Sequence, residues 1–176
     1  MDFAILYAIQ NIRTPLLDKI MVLVTSIPGG YGQMWVALGI ILLIFKKTRK
    51  CGLVLLVSYL LVFGVGQYVL KDLIARPRPC HIDETIELLI KRPSSYSCPS
   101  THSAWAFAAA TSIFLFNKKS GIFTYVFSTL VAFSRMYLFV HFPTDVLLGI
   151  VMGIIFAVGA KYFIEKVLKK ASQKTL

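Results

Sequence analysis

From Gly52 to about residue 165 the chain repeats one pattern: an apolar run about as long as a bilayer is thick, then a short polar connection. Four runs, at about 52–71, 101–117, 120–139 and 143–165, read as membrane-crossing helices. Two shorter ones, at about 14–29 and 31–45, flank a turn at Pro28, Gly29 and Gly30. The expected fold is therefore all-α, an integral membrane bundle of about six transmembrane helices forming a single domain over 1–176. A chain that is 57% hydrophobic over 176 residues has too much apolar surface for one water-soluble domain. The first residues lack a basic region and a small-residue cleavage site, so no removed signal peptide is expected there. Instead, 1–13 is expected to include a segment lying on the membrane interface.

A formal charge of +11 would suggest nucleic acid in a soluble protein, but here the cations sit between the apolar runs. Lys46, Lys47, Arg49 and Lys50 fill one connection, Lys118 and Lys119 another, and Lys161, Lys166, Lys169, Lys170 and Lys174 the end of the chain. With six crossings these three groups fall on one side, which the positive-inside rule makes cytoplasmic. Both termini, including a tail at 166–176, then lie inside. The long loop 72–100 lies outside, in a multi-pass protein of the cell membrane that needs no nucleic-acid partner.

Alternating crossings also gather the unusual residues. Lys71, Arg76 and Arg78 follow the third run, and Ser100, Thr101 and His102 open the fourth. Ser134, Arg135 and His141 close the fifth, and Asp145 begins the sixth. Taken singly, Lys and Arg near helix ends are often interfacial anchors, and Ser100 is a natural N-cap. Taken together, on one face, they suit an anion: a helix start offers unpaired N–H groups and a positive dipole end. Pro143 fits the first turn of its helix and puts Asp145 in that turn, within reach of His141.

Three blocks in this order, Lys71-(six residues)-Arg78-Pro79, Pro99-Ser100-Thr101-His102 and Ser134-Arg135-(five residues)-His141-(three residues)-Asp145, resemble the type-2 phosphatidate phosphatase superfamily. The resemblance covers nearly the whole chain. It implies a hydrolase of lipid phosphate or diphosphate bonds in which Lys71, Arg78, Ser100, Thr101 and Arg135 bind phosphate. By the same resemblance, His141 attacks phosphorus to form a phosphohistidine, Asp145 orients it, and His102 protonates the leaving oxygen. One departure is Thr101, where the commonest family form has glycine. Vanadium-dependent haloperoxidases share the phosphate cradle, but the apolar runs favour the lipid phosphatase branch.

The resemblance implies no cofactor. His81, Asp83, Glu84 and Glu87 lie close in sequence but read as a solvated acidic loop rather than as metal ligands. The expected partners are a membrane lipid phosphate and the bilayer itself, with undecaprenyl diphosphate the favoured substrate. Phosphatidylglycerophosphate and phosphatidate hydrolysis, phosphotransfer to a second lipid, and noncatalytic lipid binding or transport are the competing readings. Cys51 reads as a reduced structural thiol. Cys80 and Cys98, which flank the first two blocks, have the option of a disulfide, and without it 81–97 would be free to act as a lid. Gly149 and Gly153 form a Gly-x-x-x-Gly pair that predicts close helix packing.

Overall fold

The computed structural model describes residues 1–173, and every regular element among them is helical. Helix α1 (Asp2–Gln10) leads into α2 (Pro15–Ser26) and α3 (Gln33–Ile44). Helix α4 (Arg49–Leu61) runs on through a π-helical segment, Val62–Leu70, into the single turn α5 (Lys71–Ile74). A short helix α6 (Pro79–Ile82) begins the long loop, and α7 (Thr101–Phe114), α8 (Lys118–Tyr137) and α9 (Pro143–Gln173) complete the chain. The six expected runs are thus α2, α3, α4 with its extension, α7, α8 and α9, while α1, α5 and α6 are additional. Residues 174–176 of the expected tail lie outside the described residues, and α9 carries the rest of the tail as helix to Gln173.

Local chemistry sets several boundaries. The Thr14 hydroxyl accepts from the Leu17 N–H at 3.2 Å, with Pro15 opening α2. The Asn117 side chain accepts from the Ser120 N–H at 3.0 Å and starts α8.

The stretches Arg49–Ile82 and Pro143–Lys170 are long and apolar enough to cross a membrane. Helices α2 and α3, at 12 residues each, reach only about 18 Å, short of a hydrocarbon core of about 30 Å. Around the outside, Leu60, Phe123, Leu147, Ile155 and Phe163 are all more than half exposed, an apolar coat that water would not tolerate at this density.

Helix α7 is the centre of the bundle, buried along nearly its whole length from Thr101 to Ser112. Its run of alanines keeps it slender, and α9 closes on it through the predicted glycine pair. A Cβ at Gly149 would collide with the Ser100 carbonyl oxygen, and one at Gly153 with that of Ala104. The two backbones touch there, as the spacing predicts.

At the expected interfacial segment, α1 packs one side onto the bundle and leaves Ile5 and Tyr7 exposed on the other. Leu6 is fully buried with Leu138, Phe139, Val140 and Phe142, and the Phe3 ring meets Phe142 edge-on at 5.1 Å. The long loop is docked as well: Leu88, Leu89 and Ile90 pack against the same cluster.

Candidate active site

The π-helical segment widens the helix one turn before Lys71, a distortion that often marks a working site. It carries Gln67, whose carbonyl oxygen accepts from the Thr101 hydroxyl at 3.2 Å, tying α4's extension to the start of α7. After α5 the chain reverses at Ala75, held in the left-handed region at φ +47, and runs into Arg76-Pro77-Arg78-Pro79. A second such reversal, at Phe139 with φ +58, ends α8. There the N–H groups of Val140 and His141 both fall on the Arg135 carbonyl, at 3.2 and 3.3 Å. These two non-glycine turns aim Arg78 and His141 at each other.

Arg78 also lines a cavity of about 610 Å³. Lys71, Arg78, Lys91 and Arg135 line it with His102 and Thr101, and no Asp or Glu does. Lys71 and Arg135 are buried, at 3% and 5% exposed. Ionised groups are rarely buried without compensating partners, so the arrangement suits an anion.

The partners of each cation refine this picture. The Lys71 ammonium donates to the Ser95 hydroxyl at 3.4 Å. Arg78 is held on all sides, donating to the Ser95 carbonyl at 2.6 Å, the Ser95 hydroxyl at 3.0 Å, the Tyr96 carbonyl at 3.1 Å and the Val140 carbonyl at 2.8 Å. Burial pulls its pKa down to about 10, which still leaves it a full cation at neutral pH. Arg135 donates one Nη1 hydrogen to Thr25 on α2 at 2.6 Å, while its buried Nε finds no partner within the protein. That Nε is a buried donor with no protein acceptor, on a residue that lines the cationic cavity.

His141 is 1% exposed and stands behind the cavity wall, its Nε2 3.0 Å from Arg78 Nη1. Burial, then the positive charges of Arg78, Arg135 and Lys71, hold its pKa well below the ordinary imidazole value. The expected direct bond from Asp145 to His141 is not made, since Asp145 Oδ2 lies 3.8 Å from Nδ1. Ser97 flanks the pair: its hydroxyl donates to Asp145 Oδ2 and lies 3.5 Å from Nδ1. Asp145 Oδ2 also accepts from the Phe142 N–H at 2.8 Å, and Oδ1 from Arg76 at 2.7 Å.

Two further expectations change. Ser100 occupies the N-cap position of α7, yet its hydroxyl makes no capping bond and pairs with Ser103 at 3.0 Å instead. It is fully buried and does not line the cavity. Cys80 and Cys98 are two free buried thiols, so the disulfide open to the sequence is not formed. Burial pushes Cys98 up to about 11 and raises Cys80, which leaves both protonated and unreactive. Two acidic residues of the long loop have protein partners: Asp83 accepts from Tyr7 at 2.7 Å, and Glu84 pairs with Arg92 at 2.7 Å. Sequence reasoning missed Thr25, Ser95 and Ser97, none of which stands in a recognisable motif.

A cationic cavity with one imidazole on its wall and a second, neutral one against a wall arginine is the site of a phosphate-ester hydrolase. The chain belongs to the PAP2 superfamily, whose model matches residues 52–169 and so takes in all three blocks. It is 33% identical over 138 residues to an undecaprenyl-diphosphatase of Sulfolobus acidocaldarius, covering 78% of this chain and 66% of that one. It is 34% identical to phosphatidylglycerophosphatase B of Bacillus subtilis, covering 98% and 87%. Among solved structures it is similar to a transmembrane PAP2-type phosphatidylglycerolphosphate phosphatase of Bacillus subtilis. That match has a TM-score of 0.75 and 32% identity over 94% of this chain and 85% of the other.

Proposed function

We propose that the protein removes a terminal phosphate from undecaprenyl diphosphate through a phosphohistidine, without a metal. The observation that carries this reading is the unpartnered Nε of buried Arg135 in a cavity lined by Lys71, Arg78 and His102. A transferring phosphoryl group needs charge stabilisation and alignment above all, and these cations supply both. Arg78 releases its contact with His141 to a phosphate oxygen, and Arg135 adds the donor it holds unused. Ser100 and the backbone at Thr101 stand at the start of α7, whose positive end faces the same anion.

The freed lone pair of His141 Nε2 then attacks phosphorus, and the bond from phosphorus to the lipid oxygen breaks with its electron pair on that oxygen. Protonated His102, favoured by the negative phosphate beside it, delivers the proton. Asp145 stabilises the imidazole cation as it forms. In the second half, His102 takes a proton from water, whose oxygen attacks phosphorus and displaces Nε2 to release inorganic phosphate.

An outward site fits the arrangement of charge, but with five crossings and an outward N-terminus in place of the expected six with both termini inside: Asp2 reaches Arg76, and α2 stays at the site's end, from Asp18 on Tyr137 to Thr25 on Arg135. Lys47 and Lys119, from two different connections, line one cavity at the far end of the bundle, and Lys161 lies 5.6 Å from the Phe116 ring at that same end. The positive-inside rule puts this end in the cytoplasm and the phosphate site outside.

The test is phosphate release by purified protein, with chelator present, from undecaprenyl diphosphate, phosphatidylglycerophosphate and phosphatidate. Fastest release from the diphosphate is expected, with His141→Ala silent and His102→Ala slowed about 10²–10⁴-fold. Preference for phosphatidylglycerophosphate would move the substrate assignment to that relative's. Normal turnover by folded His141→Ala would remove the nucleophile.

A further inference from the structure

The buried carboxylate of Asp145 has its charged partner in Arg76, one of the six intervening residues of the first block and not one of its matched positions. Arg76 Nη1 donates to Asp145 Oδ1 at 2.7 Å and also to Thr144 Oγ1 at 2.7 Å. Nη2 of the same guanidinium donates to Asp2 Oδ2 at 2.8 Å, and Thr144 donates to that same oxygen at 2.6 Å. The guanidinium lies 4.0 Å over the Phe142 ring, the residue next to His141. Asp2 opens α1, which is seated on Phe139 and Phe142 through Phe3. Residues 1–51, α1 among them, precede the span that the superfamily model matches.

We infer that Asp2 and Arg76 are positioning residues for the reaction, and that α1 is the strut that holds Asp145 and, through it, His141. The physical case starts from Asp145, which is fully buried and needs a cation to remain a carboxylate. Among the described residues only Arg76 and the His141 ring stand within ion-pair distance of it. A single arginine on an extended loop would have many rotamers. Asp2 and Thr144 take up the other donors of its fork, and the Phe142 face fixes its plane. Asp145 Oδ1 is thereby locked, which leaves Oδ2 for the Phe142 N–H and the Ser97 hydroxyl beside Nδ1. Arg76 does not line the cavity, so it reaches the substrate only through this chain of contacts.

The inference rests on the phosphohistidine reading, and two measurements on the full-length protein in lipid keep the two apart. In turnover, Arg76→Gln is expected to lower kcat about 10–100-fold with KM within about twofold, as for loss of a supporting partner behind a working group. Arg76→Lys recovers part of the loss. Asp2→Asn lowers kcat in the wild-type background and adds nothing in the Arg76→Gln background, because the two act in series. Unchanged kcat in folded Arg76→Gln, a loss confined to KM, or additive effects of the two substitutions would overturn the inference.

The second measurement is the histidine ¹⁵N spectrum, which needs no activity. Arg78 keeps the neutral His141 proton on Nδ1 in every variant, so the expected readout is the Nδ1 shift: the same in wild type and Arg76→Lys, and displaced in Arg76→Gln and Asp2→Asn as the Asp145 carboxylate turns from the ring. The same spectrum in all four sinks the inference even if the enzyme is active. A wild type silent on every lipid phosphate, but with the expected spectra, sinks the functional reading and leaves this one standing. If Arg76→Gln does not fold, the milder Asp2→Asn decides both measurements.

Discussion

Arg78 Nη1 and His141 Nε2 face each other at 3.0 Å, and their chemistry permits only one arrangement of protons. A guanidinium can only donate, so Nε2 must accept, and the neutral ring carries its proton on Nδ1, toward Ser97 and Asp145. This is the tautomer a nucleophilic Nε2 requires. The same contact masks the lone pair, so the resting site is closed until an anion draws Arg78 away.

The acid limb of the rate profile follows from that environment. In the proposed mechanism protonation of Nε2 removes the nucleophile, and burial together with Arg78, Arg135 and Lys71 disfavours the protonated ring. Because the folded pKa is lowered, kcat/KM for wild type is expected to stay level as pH falls through 6.5 and to drop only at more acid values. A pH profile that halves near an ordinary imidazole pKa would contradict this.

Ser97→Ala separates a relay from a direct histidine–aspartate pair. The serine hydroxyl touches both Nδ1 and Asp145 Oδ2 from one side, while those two atoms are 3.8 Å apart. Its loss is expected to cut kcat by about tenfold, on the order of one hydrogen bond to a charged group. Stopped-flow measurement of phosphoenzyme formation reads this directly, and an unchanged rate would show that Asp145 reaches the ring without help.

Thr25→Val tests the reach of α2 into the site. Arg135 Nη1 gives its hydrogen bond to Thr25, so the isosteric valine leaves a second buried guanidinium donor unpaired. The cost is about 1–3 kcal/mol of stability. Added phosphate is expected to recover part of the lost Tm, since it supplies the missing acceptor, and thermal melts with and without phosphate check both effects.

Gly153→Leu attacks the contact between α7 and α9. Any side chain there meets the Ala104 carbonyl, and backbone cannot yield as a flexible side chain can. Overpacking of this kind costs about 1–3 kcal/mol or more, visible as a lower Tm. The shift also displaces the start of α7, so residual activity is expected to fall more than the folded fraction does.

Much of this was legible because bilayer-spanning periodicity is a strong signal. The runs located the helices, Pro143 and the Thr101 start were placed to the residue, and the glycine pair marked the close contact. Lys71, Arg78, Thr101, His102 and Arg135 were all assigned to one anion site, and the cavity brings these five together. What escaped depended on backbone turns that leave no mark in the sequence. Ala75 and Phe139 adopt left-handed conformations without being glycine, and they decide where Arg76, Arg78 and His141 point. The roles of Thr25 and Asp2 rest on contacts across 110 and more than 70 positions respectively, which no local pattern encodes. Ser100 shows the opposite failure: its position matched the capping rule, but a neighbouring serine took its hydroxyl.

The π-helical stretch Val62–Leu70 sets the rotational phase of everything that follows it. Restoring ordinary winding there with all its residues kept would turn the side chains that follow by about 100° around the helix axis. Gln67 and Lys71 would then face away from the cavity while every residue of the three blocks remained in the sequence. A change of winding in an apolar segment is thus enough to unmake a phosphate site whose signature would still read as intact.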